Sequence, residues 1–163
     1  MVMTHFFLRK LSYKKIYLEV LLVLIFKTQL YKILAPSSKK KLAIDHYDRV
    51  FLFHQSHASF PPIAYKKSIS LIVYNLGYLP GGDKQFTTLA AETLKSIDEA
   101  LKLIRPQGMI SITCYPGHPE GQREEEGLIA YLKTLSNKLY TICYHQWVNR
   151  HASPSLILIR RRF

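Results

Sequence analysis

The residues best equipped for chemistry lie in two loops. In Tyr74 to Lys84, YNLGYLPGGDK, an asparagine closes the apolar run SISLIV, and three glycines, a proline and a second tyrosine follow within ten residues. Reversing the chain takes one or two such residues, so this many implies a backbone that must pass close to something. Asn75 can donate and accept hydrogen bonds, Tyr78 offers an aromatic face and Asp83 a carboxylate. The second loop, YPGHPEG, brings the imidazole of His118. Plainer roles stay open: Asn75 and Tyr78 can cap a strand and pack a turn, and His118 can bond a loop carbonyl. His54 and His57 have HxxH spacing, yet no third ligand at a suitable spacing accompanies them, so no metal site is expected. Cys114 and Cys143 each sit in an apolar, strand-like run without a CxxC partner. They read as inert core residues in a reducing compartment, not as zinc ligands or a disulfide.

The elements that must position these loops follow from periodicity. Ile69 to Tyr74 is a near-continuous apolar run, the pattern of a strand buried on both faces of a parallel sheet, and Asn75 lies at its carboxyl end. From Thr87 to Ile104, Leu89, Ala90, Leu94, Ile97, Ala100, Leu101 and Ile104 recur at three and four, which predicts an amphipathic helix stopped by Pro106 and Gly108. Met109 to Tyr115 is the next strand. Glu120 to Leu135 is a second helix with acidic residues in its first turn, where the dipole favours them, and Glu124 to Glu126 read as part of an exposed helix start. Leu139 to Trp147 and Ser155 to Arg160 are two further strands. Upstream, Arg49 to His54 is a short strand candidate, and residues 28–44 look like a broken helix around PSSKKK. This alternation predicts an open α/β sheet with right-handed crossovers, in which ligands bind beyond the carboxyl ends of the strands. Both loaded loops fall there.

Composition sets the outer bounds. With 163 residues, 48% of them hydrophobic, the chain can build one domain with a proper core. The expected organisation is an atypical segment at 1–27 followed by an α/β domain at 28–163. A formal net charge of +12 favours a polyanionic partner such as nucleic acid, or an anionic membrane surface. The excess is uneven: residues 1–67 hold 12 Lys or Arg against 3 Asp or Glu, and residues 68–163 hold 11 against 8. The apolar run IYLEVLLVLIF has 11 residues and is interrupted by Glu19, whereas a membrane-spanning helix takes about 20. No small-residue cleavage site follows it. Secretion and a membrane partner are therefore not expected, a cytoplasmic location is, and the run reads as a buried strand or helix at the edge of the fold. SSKKK and the terminal RRRF either touch nucleic-acid phosphates or are merely solvated.

The run Asn75 to Lys84, the stretch EALKLIRPQGMISI, the loop Tyr115 to Gly121 with Gly117 and His118, and the terminal Asn149 and Pro154 together resemble the bacterial rRNA methylase family. The resemblance covers roughly residues 45–163 and extends more weakly from 28. It implies a Rossmann-like class I methyltransferase sheet, S-adenosylmethionine as cofactor and RNA as partner. The expected substrate is the aminomethyl group of a modified wobble uridine in tRNA. RVFLFHQSH is similar to the family's strand and loop that reach the cofactor adenine, which makes Gln55, Ser56 and His57 cofactor candidates, with Gln55 where an acidic residue is usual. Asn75, Leu76 and Gly77 would lie beside the methyl donor. Amine methylation is an in-line displacement in which a nitrogen lone pair is held about 3 Å from the methyl carbon. Enzymes of this kind use a strand-end Asn or Asp followed by Pro-Pro-aromatic; here Asn75 and Tyr78 hold the outer positions, and Leu76 and Gly77 replace the prolines. The amide oxygen would accept amine hydrogens and the ring would stack on the base. An alkyl amine is protonated at neutral pH, so Asp83 and His118 are candidates for base or electrostatic assistance.

One departure stands against the resemblance. Such enzymes begin with a strand, a glycine-rich loop and a helix, then a strand ending in an acidic residue for the ribose. Residues 1–76 contain no glycine at all. The expectation is a sheet incomplete in its amino-terminal half, with its central strand absent, in a reading frame truncated or shifted at its start, and hence poor cofactor binding and an inactive chain. A homodimer that restores the sheet centre stays open, as does a non-catalytic, basic RNA-binding remnant.

Overall fold

Short apolar runs bounded by turn residues become strands and the two amphipathic stretches become helices. The computed structural model describes residues 21–25, 50–76 and 90–163. The expected broken helix at 28–44, SSKKK, and the candidates Gly77, Tyr78 and Asp83 lie outside the described residues. In chain order the elements are β1 (Leu21–Ile25), β2 (Val50–His54), β3 (Ile69–Asn75), α1 (Ala90–Leu103), β4 (Ile104–Cys114), α2 (Pro119–Lys133), β5 (Tyr140–His145) and β6 (Ser155–Arg161). Strands β3, β4, β6 and β5 form one sheet in that order; β3 and β4 are parallel, and β6 runs antiparallel to both of its neighbours. Strand β1 pairs with β2 in parallel, and Cα atoms of β1 and β3 come within 8 Å. Five apolar residues, LLVLI, form a short parallel strand beside β2, and these two strands make a two-stranded sheet of their own.

The core lies between one sheet face and the two helices. Ile72 and Tyr74 of β3, Ile110, Ile112 and Cys114 of β4, and Ile157 and Ile159 of β6 meet Ile97, Ala100 and Leu101 of α1 and Leu128 and Leu132 of α2. Burial alternates along β3, and Val73 is 58% exposed. Among the described residues strand β3 is therefore covered on one face, not on both as its continuous apolar run predicts, because α1 and α2 pack on the same side.

A chain of buried polar groups ties these layers together. The Ser96 hydroxyl on α1 donates to the carbonyl of His57 at 2.6 Å, and the Tyr74 hydroxyl lies 2.9 Å from the Ser96 oxygen. Ser96 has spent its proton, so Tyr74 donates; its burial raises the phenol pKa well above the ordinary value. Thr93 donates to Glu124 Oε1 at 2.5 Å, and His57 Nε2 lies 3.4 Å from the same threonine oxygen. The Ser155 hydroxyl donates to Glu125. Glu124 and Glu125 are 5% and 6% exposed, so the reading of an exposed acidic helix start is corrected. Both point from α2 into the protein interior, where the Thr93 and Ser155 hydroxyls donate to them.

The junction of α1 and β4 shows why the helix stops where it does. Ile69 pairs with Ile104 and Leu71 with Met109, so residues 105–108 bulge out, and Gln107 takes a positive φ of 65°. A Cβ on Gly108 would stand 2.9 Å from the Arg105 carbonyl oxygen and 3.0 Å from that of Ser70, so only glycine fits without a shift. The last carbonyls of α1 accept from elsewhere: Lys67 and Ser68 backbone N–H groups reach Lys102 and Leu103, and the Arg161 guanidinium reaches Leu101 and Ile104. Terminal Arg161 is therefore a helix clamp.

Burial lowers the His57 pKa, with Glu92 partly opposing the shift. A depressed folded-state value means that the unfolded chain binds the proton more readily. The stability His57 contributes is therefore complete above its unfolded pKa, about 6.5, and is lost as pH falls below it. Melting temperature measured from pH 7.5 to 5.5 is expected to fall more steeply for the wild type than for His57→Gln; equal slopes would place the acid sensitivity elsewhere.

Candidate active site

The carboxyl ends of β3 and β4 are adjacent in a parallel pair, so the residues that follow them must meet. Asn75 pairs with Thr113, and the Leu76 N–H donates to the Thr113 carbonyl at 2.9 Å, carrying the ladder one residue beyond β3. Leu76 is buried and Asn75 is exposed at the rim. The Tyr115 hydroxyl, just past β4, donates to Asn75 Oδ1 at 2.9 Å. This bond fixes which way the amide faces and leaves the second lone pair of Oδ1 to accept another hydrogen. Tyr115 was not singled out by sequence reasoning. Its partner is 40 residues away in the chain, and only the parallel register brings the two together.

The loop after Tyr115 is shaped by the start of α2. His118 is the N-cap, with φ −149° and ψ 158°, and Pro119 opens the helix. The His118 Nδ1 accepts from the Gly121 N–H at 3.1 Å and lies 3.4 Å from Glu120 Oε2. The Glu120 carboxyl is held below its usual range by the backbone N–H at the helix start and by His118. Gly121 makes the fold-back possible: a Cβ there would collide with the Tyr115 carbonyl oxygen and stand 2.9 Å from His118 Nε2.

The other candidates divide. Gln55 and Ser56 follow β2 and form their own turn: Gln55 Nε2 donates to the Ser59 carbonyl at 2.8 Å, and Ser56 Oγ accepts from the Ala58 N–H at 3.2 Å. His57 is buried against Thr93 in the polar chain, so its ring serves the packing of α1. Cys114 is buried, its thiol pushed up to about 12 by desolvation and by Glu125 and Glu124, while Cys143 is exposed. Among the described residues no group of His, Cys, Asp and Glu could hold a metal ion. The structure thus joins Asn75, Leu76, Tyr115 and His118 along one strand-end rim.

Residues 29–161 match the family described as "Putative rRNA methylase". The chain belongs to that family. A relative named tRNA (mnm(5)s(2)U34)-methyltransferase, chloroplastic, from Arabidopsis thaliana is 34% identical over 114 residues, which are 69% of this chain and 42% of that protein. This family member therefore spans less than half the length of that curated relative. Among solved structures, one described as a "putative rRNA-methylase" from Clostridium thermocellum superposes with a TM-score of 0.73 at 25% identity, covering 85% of this chain and 73% of the other. A methyltransferase-like protein from Streptococcus mutans, solved in complex with SAH, gives 0.70 at 24% identity over the same shares. The fold of this methylase-family chain is the Rossmann-like methyltransferase fold.

Gly121→Ala is expected to cost about 1–3 kcal/mol of stability, because backbone must move to relieve an overpacked site. Urea denaturation measures this, with Gly127→Ala as control, since a Cβ at Gly127 meets nothing within 4 Å. Equal midpoints for the two variants would contradict the account of the loop.

Proposed function

We propose that this chain carries the substrate-positioning part of an S-adenosylmethionine-dependent RNA methyltransferase, acting on an amine of a modified tRNA wobble uridine. The observation that carries this reading is Asn75 at the open end of β3, its amide oriented by the Tyr115 hydroxyl. The name of the chloroplastic relative supplies the substrate class.

The residues present fit the adenosine end of the cofactor by their donor chemistry. With Gln55 Nε2 bonded to Ser59, the arm of that amide that remains is an acceptor, suited to the exocyclic amine of adenine. Gln55 and Ser56 beyond β2, and Asn75, Leu76 and Gly77 beyond β3, are the residues that would hold it. When bound, S-adenosylmethionine supplies an electrophilic methyl group on its sulfonium.

The chain's own part is placement. Asn75 Oδ1 accepts an amine hydrogen of the substrate and so aims the nitrogen lone pair at the methyl carbon, and Tyr78 holds the base by stacking. A substrate amine that takes up the methyl group would have one proton to release. Asp83 is the carboxylate candidate to receive it or to draw the amine in. His118 Nδ1 is already engaged with Gly121, so its first contribution is to hold the start of α2. Among the described residues no helix is long and apolar enough to cross a membrane, and a reducing compartment such as the cytoplasm suits the two free thiols.

The test is incorporation of labelled methyl from S-adenosylmethionine into bulk tRNA. Asn75→Ala is expected to lower kcat by about 10²-fold while tRNA binding persists. Tyr115→Phe removes one orienting hydrogen bond, so kcat should fall about 2- to 10-fold with KM for tRNA unchanged. Activity undiminished in Asn75→Ala would sink the assignment. The glycine-free first 76 residues favour a second reading, RNA binding without cofactor affinity. It predicts salt-sensitive tRNA binding with no calorimetric signal for S-adenosylmethionine in a folded chain.

A further inference from the structure

The rim extends past His118 to a surface that the methyl-transfer reading leaves without a role. Strand β5 ends at His145 and β6 begins at Ser155, which pairs with Cys114 at the carboxyl end of β4. The connecting residues 146–154 therefore stand at the same edge as Asn75 and Tyr115. They also touch the His118 loop, since a Cβ on Gly117 would lie 3.3 Å from the Ala152 carbonyl oxygen. At this place Trp147 is 60% exposed and Val148 fully so, an arrangement that leaves large apolar side chains in water. The Arg150 guanidinium sits over the Trp147 ring, 5.5 Å from its centroid. It adds positive charge against the ring, and more than half of the Trp147 surface remains exposed to solvent.

We infer that Trp147 and Arg150 form a stacking platform for an unpaired nucleotide that flanks the target in the RNA, an inference that rests on the RNA reading above. Charge complementarity favours this occupant. Beyond Glu126 the chain has no acidic residue, so no carboxylate on β5, β6 or their connection repels a phosphate there. The other basic cluster, Arg160 to Arg162, is at the opposite edge of the sheet, where Arg160 pairs with Met109, Arg161 clamps α1 and Arg162 reaches the Asn137 carbonyl. Arg150 is thus the permanently charged side chain available beside the rim in this part of the chain. A base stacked on the exposed part of the indole, with its phosphate against Arg150, would fix the strand relative to Asn75.

Trp147 is the chain's single tryptophan, so its emission reports the contact directly. Titrating the full chain with bulk tRNA and with a single-stranded oligouridylate is expected to quench that emission. Trp147→Ala should bind both RNAs about 5- to 150-fold more weakly, and Trp147→Phe should retain most of the affinity. Arg150→Gln should lower the salt slope of binding by about one. RNA binding that leaves the Trp147 emission and the Trp147→Ala affinity unchanged would overturn this inference while the methyl-transfer reading stands. Absence of any RNA binding by the wild type defeats both. A blue shift with vesicles of phosphatidylserine and phosphatidylcholine, with no response to RNA, would also overturn it in favour of a membrane surface.

Discussion

The fold depends on a buried line of hydroxyls, an imidazole and two carboxylates that runs across its layers. Ser96 holds the backbone at His57, Tyr74 holds Ser96, His57 holds Thr93, and Thr93 holds Glu124. Ser155 closes the line on Glu125. Each of these groups would be costly to bury alone, and here each has a hydrogen-bonding partner. Apolar side chains would tolerate a sliding helix; this line does not. It sets where α1 and α2 sit against β3 and β6, and so where the strand ends open.

From that fixed frame the rim is a local matter. The parallel register of β3 and β4 sets Asn75 beside Tyr115, and the small size of Gly121 lets the chain return onto α2 directly afterwards. A hydroxyl from the neighbouring strand end orients the Asn75 amide.

What the sequence made legible was whatever is encoded within a few residues. The apolar run ending at Asn75, the three-and-four spacing of α1, and the proline and glycines that place β4 and the His118 loop are local patterns, and the elements follow them closely. The side chains that were misread have distant partners. Glu124 and Glu125 look like a solvated acidic run, but their partners Thr93 and Ser155 are 31 and 30 residues away. Tyr115 looks like the start of a loop until β3 is laid beside it. Arg161 reads as part of a basic tail, and nothing nearby reveals the carbonyls of Leu101 and Ile104, some 60 residues earlier, that it serves. Val73 shows the converse: its apolar neighbourhood foretells burial, yet both helices pack on the other face.

The hairpin of β5 and β6 separates two demands on the chain. Its pairing is continuous up to His145 and Leu156, and Ser155 is locked to Cys114. Outside the contact of Ala152 with the His118 loop, residues 146–154 can then change composition without disturbing the ladder beneath them. Selection acting on that segment would retune which molecules are admitted to the rim while the scaffold and its strand-end amide stay constant. Lineages sharing this frame can diverge in preference with few changes, and grafting the segment from one to another is a compact route to exchanging it.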